Sequence, residues 1–244
     1  MRIDFETEIE WREKQTLLKA AFLAAIRSLR ATAEIQFGAI QRPTHTNTSW
    51  DAAQFETSAH MWVDLSEGDY GLALLNDCKY GYDAKDSVLR LTLLKSAIDP
   101  DPHADEGFHQ FTYSLLPHNG DWFDGGVRQA AHALNSPLAA TVIAADQTQI
   151  ASLPAKQTFV LADASNIAIE TVKRAENADA VIRMYESGGR RGPFTLRFSF
   201  AVTKAEETDL LEEHPIPAQI SADGKELYST ILPNEVKTFV VYFA

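Results

Sequence analysis

The chain is short of several features that would announce a chemistry. Its 244 residues contain one cysteine, Cys78. A disulfide within the chain is therefore excluded, and a reducing compartment is the simpler expectation. Cys78 stands between Leu74-Leu75 and Lys79-Tyr80, which reads as a buried structural thiol. No apolar run is long enough to span a bilayer. Alternating charged and apolar residues follow Met1 directly, with no apolar secretory core, so a cytoplasmic chain is expected. No G-x-S-x-G elbow, phosphate-binding glycine loop or H-E-x-x-H pair occurs. The formal net charge of −12 disfavours nucleic acid and anionic membrane as partners but leaves neutral sugars open.

The chain has instead 45% hydrophobic residues, enough to bury one large core or two smaller ones. Ile3, Phe5, Thr7, Ile9 and Trp11 alternate with charged residues, the period of a half-buried strand. The same alternation returns at Ala33 to Ala39, at Ala59 to Leu65 and at Phe194 to Phe200. Val236 to Phe243 reads as a terminal strand. Turn residues separate the runs, among them Glu67-Gly68-Asp69, Gly81-Tyr82-Asp83, Pro117-His118-Asn119-Gly120 and Ala222-Asp223-Gly224. Gly188-Gly189-Arg190-Arg191-Gly192 reads as a hairpin turn. The pattern predicts a mainly β, sandwich-type protein. One helix is expected, capped by Asp121, with Phe123, Val127, Ala130, Ala131 and Leu134 on one stripe and Pro137 as its stop. A helical turn near Glu206 to Glu213 is a second expectation. The domain break is expected at residues 150–156.

Two stretches are candidates for chemistry. The first runs from Tyr70 to Asp83, where an apolar strand ends in Asn76 and Asp77, followed by Lys79, Tyr80 and Tyr82. Aromatic faces stack on sugar C–H groups while amides and charges bond hydroxyls, so this strand end suits a sugar-binding surface. A tight turn in which Asn76 and Asp77 bond their own backbone explains the same residues. The second is the acidic loop Asp99 to Glu106, where Asp101, His103 and Asp105 crowd oxygen and imidazole groups together. Its prolines and its missing turn glycine do not fit a calcium loop. No metal site and no catalytic residue is singled out.

Several motifs in sequence order do carry a resemblance. Glu34-Ile35-Gln36-Phe37-Gly38, Gln41-Arg42-Pro43-Thr44-His45, Asn47-Thr48-Ser49-Trp50-Asp51 and Leu74-Leu75-Asn76-Asp77-Cys78-Lys79-Tyr80-Gly81 resemble the C-terminal region of bacterial family 38 glycoside hydrolases, the α-mannosidases. Phe111-Thr112-Tyr113 and Pro117-His118 continue the match to about residue 135. The resemblance implies a large antiparallel β super-sandwich of galactose mutarotase type with one short helix over residues 1–152. A smaller β-sandwich is implied over 153–244. It further implies a retaining, zinc-dependent hydrolase whose zinc and nucleophile sit on a catalytic barrel, followed by a helix bundle. Neither barrel nor bundle is visible here, so zinc is expected in that domain and no cofactor in this chain. The expected partners are that barrel and bundle and a mannose-containing glycan, with homo-oligomerisation left open. Asn76, Asp77, Lys79, Tyr80, Tyr82, Asp101, His103 and Asp105 become candidates for the substrate rim. A stand-alone module binding mannose-containing glycans through Tyr80, Tyr82 or Trp122 is the alternative. A weaker one is a sugar epimerase using a histidine and a carboxylate as base and acid, with His60, His109 and a nearby glutamate cast in those roles.

Overall fold

The computed structural model describes residues 1–142 and 154–244. The chain divides into two compact units, Met1–Ala139 and Ala140–Ala244. The break expected between residues 152 and 153 lies outside the described residues.

The first unit contains β1 (Ile3–Trp11), β2 (Leu17–Leu23), β3 (Arg30–Ile35), β4 (Gly38–Pro43), α1 (Ser49–Ala53), β5 (Thr57–Ser58) and β6 (Trp62–Ser66). It continues with β7 (Tyr70–Asn76), β8 (Gly81–Lys85), β9 (Val88–Lys95), β10 (Gly107–Asn119) and α2 (Val127–Asn135). The strands form a six-stranded sheet, β1-β10-β7-β6-β3-β4, and a four-stranded sheet, β2-β9-β8-β5. Every pairing is antiparallel. The sheets share a core that includes Ile26, Leu65, Leu74, Leu89, Leu91 and Phe111. Each such side chain removed from water contributes about 1.5–3 kcal/mol. The far face of the larger sheet is also buried. There Trp62, Ala73 and Leu75 pack under Val127 and Ala131 of α2. Strands covered on both sides lose the clean alternation, which is why β6 and β7 are buried almost throughout.

The second unit contains β11 (Val160–Ala162), β12 (Ile167–Arg174), β13 (Ala180–Glu186), β14 (Gly192–Phe198), β15 (Val202–Thr208), β16 (Ile216–Pro217), β17 (Gln219–Ile220), β18 (Glu226–Ile231) and β19 (Val236–Phe243). A four-stranded sheet, β11-β14-β18-β17, and a five-stranded sheet, β12-β13-β19-β15-β16, enclose Ile182, Met184, Leu196, Leu227, Phe239 and Val241. The mainly β, sandwich-like reading holds in both units.

Local expectations fared less evenly. The alternation from Ala33 to Ala39 is not one strand but the β3–β4 hairpin, with Ile35 opposite Gly38 and Phe37 at φ 54°. Gly81-Tyr82-Asp83 lies within β8 rather than in a turn. Gly188 to Gly192 joins β13 and β14, which belong to different sheets, so it is a crossover and not a hairpin. The stretch from Glu206 finishes β15 and then turns, and contains no helix. Two helices are present among the described residues, and α1 was not among those expected. The helix expected from Asp121 begins later, with Gly126 at its N-cap. Asp121 instead accepts the backbone N–H groups of Phe123 and Asp124, closing the turn before it.

Candidate functional site

The turn after β7 is built by side chains bonding backbone. Asn76 is buried; its amide nitrogen donates to the His60 carbonyl at 2.9 Å and its side-chain oxygen accepts the Lys79 N–H at 2.7 Å. Its own carbonyl accepts from Asn135 at the end of α2. Asp77 locks the next step: its N–H donates to the Thr112 carbonyl, and Oδ2 accepts the Thr112 N–H at 2.7 Å. β10 runs past the end of β7 at this point, and Asp77 satisfies backbone groups that β7 no longer reaches. Asn76 and Asp77 Oδ2 thus hold the turn from within, while the buried Asp77 Oδ1 is left without a hydrogen-bond partner among the described residues. The Lys79 ammonium lies 4.4 Å from the centre of the Phe111 ring, in cation–π contact. Tyr80 is 58% exposed, its ring edge-on to His60 at 6.1 Å.

Two expectations about this turn are corrected. Tyr82 is 2% exposed, and its hydroxyl accepts the Arg42 guanidinium at 2.7 Å. Strand β8 carries it into the core between the sheets, so it offers no stacking face. Cys78, expected buried, is exposed. Its thiol is nonetheless partly desolvated and sits beside the Asp77 carboxylate; together these push its pKa up to about 11, so it stays protonated and unreactive. Trp122 is stacked on Trp62 at 4.9 Å within the cluster under α2, which removes it from the sugar-stacking candidates.

The acidic loop is held by its own contacts. Asp101 accepts the His103 N–H, and the exposed His103 ring meets Glu106 at 2.9 Å. Asp105, at φ 61°, accepts the Lys95 N–H, and its carbonyl meets the His109 ring at 2.8 Å. His109 is thereby occupied by backbone and His60 by Tyr80, an arrangement that does not pair either ring with a carboxylate for epimerase chemistry. The turn grips β10 at Thr112 and the loop enters it at Gly107, so the two are separated by roughly 17 Å along the strand. The structure does not gather the predicted residues into one cluster.

The sequence reading missed a buried charge pair. His118 Nε2 meets Asp64 Oδ1 at 2.7 Å, and Asp64 Oδ2 accepts the Ser66 hydroxyl. Burial pushes the His118 pKa down, but its hydrogen bond to Asp64 and that charge outweigh burial and raise it. Glycine makes room for the ring: a Cβ at Gly71, opposite His118 in the ladder, or at Gly125 would overlap it. Pro117-His118-Asn119-Gly120 had suggested a turn, yet β10 continues through Asn119. The usable signal was a histidine two residues beyond an apolar run, with glycines before β7's core and after Asp124.

A zinc ion finds no fitting ligand set among the described residues. The one group of acidic and imidazole ligand atoms within 4.8 Å of each other is Asp209, Glu213 and His214. All three are exposed, and Asp209 Oδ1 already accepts the N–H groups of Leu211 and Glu213. Catalytic zinc needs three converging ligands in a dry cavity, and no step is derived through it.

A model of the glycosyl hydrolases family 38 C-terminal domain matches residues 1–103, and one of the family's C-terminal beta sandwich domain matches residues 166–239. Alpha-mannosidase 2C1 of Homo sapiens is 42% identical, over 98% of this chain and 23% of that protein. An alpha-mannosidase of Saccharomyces cerevisiae is 31% identical, over 99% of this chain and 24% of that protein. The crystal structure of an alpha-mannosidase from Enterococcus faecalis superposes with a TM-score of 0.78 at 20% identity, covering 99% of this chain and 27% of that one. At that identity the superposition speaks for the fold. The chain spans about a quarter of the length of the curated relatives it matches.

Proposed function

The chain carries C-terminal domains of glycosyl hydrolases family 38, and from that premise we propose that it supports an α-mannosidase active site formed on a preceding catalytic region. It corresponds to the C-terminal portion of family 38 α-mannosidases. In this reading the intact enzyme is a retaining, zinc-dependent hydrolase acting on mannose-containing glycans. The barrel and helix bundle supply zinc and nucleophile, and this chain completes the rim and interdomain contacts. The single exposed cysteine and the absence of any helix long and apolar enough to cross a membrane, among the described residues, suit our assignment to the cytoplasm.

The observation that carries the rim role is the braced turn after β7. The Asn76 side chain and Asp77 Oδ2 bond the backbone around it, so Tyr80 stands exposed on a fixed support beside Lys79. A preorganised aromatic face of this kind suits contact with a sugar ring. Asp101, His103 and Asp105 share the role where the glycan spans the distance to the acidic loop. The test uses the Homo sapiens relative with its matching C-terminal portion exchanged for this chain. Tyr80→Ala is expected to raise KM for an aryl α-mannoside about three- to tenfold with kcat little changed. An unaltered KM would remove Tyr80 from the rim.

A further inference from the structure

Helix α1 is ordered without contributing to the core. None of its residues is buried, and it is too short to persist on propensity alone. Thr48 and Asp51 form a reciprocal capping box: Thr48 Oγ1 accepts the Asp51 N–H at 3.1 Å, and Asp51 Oδ2 accepts the Thr48 N–H at 3.2 Å. The preceding loop is anchored by buried Thr44, whose hydroxyl donates to the Ser28 carbonyl at 2.6 Å, and by Lys85 on the His45 carbonyl. Behind the helix, Arg42 donates to the Ser58 carbonyl at 2.7 Å. These bonds brace the helix that carries Trp50, and Phe55 follows just beyond its C-cap Gln54; both residues are 83% exposed.

We propose that Trp50 and Phe55 are the anchor by which this chain docks on the region preceding it in the intact enzyme. The inference rests on the functional reading above. An exposed tryptophan and phenylalanine present roughly 300–500 Å² of largely apolar surface, and tryptophan is among the residues enriched at interface hot spots. That area falls short of the roughly 800 Å² per partner of a standard interface between free proteins, so a second copy is a poor occupant. A covalently linked region meets the anchor at an effective concentration near the millimolar range. The relatives carry such a region: their C-terminal match uses 98% of this chain and only 23% of theirs.

The contact is tested by hydroxyl-radical footprinting of Trp50 and Phe55. The chain alone is compared with the chain exchanged into the Homo sapiens relative as one polypeptide. Oxidation of both rings is expected to slow about fivefold or more in the linked form. Trp50→Ser with Phe55→Ser should leave melting of the isolated chain unchanged and speed protease cleavage between the portions of the linked form. Rings that oxidise equally fast in an active linked enzyme overturn the anchor while the functional reading stands. An exchanged polypeptide that neither hydrolyses α-mannoside nor protects the rings overturns both. Protection that grows with concentration in the isolated chain makes a second copy the occupant and overturns the proposal.

Discussion

The Asp64–His118 pair shows at single-residue scale how chemistry-bearing residues serve the fold. Both are buried, and removal of either leaves the other unpaired away from water. His118→Phe is expected to cost about 2–4 kcal/mol in urea unfolding. The pH dependence follows from the raised pKa of His118 in the folded chain. Protonated histidine then binds Asp64 more tightly folded than unfolded. That stabilisation is complete below the ordinary histidine pKa and fades as pH rises through the folded value. Urea midpoints should therefore decline above about pH 6.5 in the parent, and this component of the decline should vanish in His118→Phe. An identical pH profile for the two would remove the pair from the account. Polar residues also explain why site reading from sequence was uneven. Asn76 and Asp77 look like ligand groups and bond backbone, whereas Tyr80 looks the same as Tyr82 in sequence and differs by 58% against 2% exposure. Which tyrosine enters the core depends on where β8 begins, and Gly81-Tyr82-Asp83 carries the residues of a turn.

At the scale of elements, a buried carboxylate ties the second unit's crossover together. Glu186 ends β13 with no exposure; Oε1 accepts from the Asn166 amide and the Gly188 N–H, each at 2.8 Å, and Oε2 accepts the Asn234 N–H at 3.0 Å. Burial pushes its pKa up, but these donors outweigh burial and hold it below the ordinary glutamate value. Its stabilisation is present above the unfolded pKa and lost as pH falls through the folded one. Glu186→Ala should cost about 2–4 kcal/mol near neutrality, with a smaller difference from the parent as both are melted at pH 4 and below. A constant difference across that range would contradict the assignment. Elements with one solvated face were legible: β1, β14 and β19 announced themselves by alternation or β-branched content. The β3–β4 hairpin was hidden because Ile35, Phe37 and Ala39 keep the period of two through the reversal. β10 was misread at Pro117 because proline usually breaks a strand. There β1 has already stopped pairing, at Leu115, and the ladder tolerates it.

For the whole molecule, a mainly β chain with two sandwich-like units was foreseeable from period-two runs and closely spaced turns. The missing information lies outside these residues. In the proposed reading the zinc ligands and nucleophile belong to a preceding catalytic region, beside which the proposed rim and anchor act. The most direct test is hydrolysis of an aryl α-mannoside by the purified chain, assayed with and without added zinc. The account predicts no release of the aryl group above the buffer rate in either condition. Zinc-dependent turnover by this chain alone would contradict it.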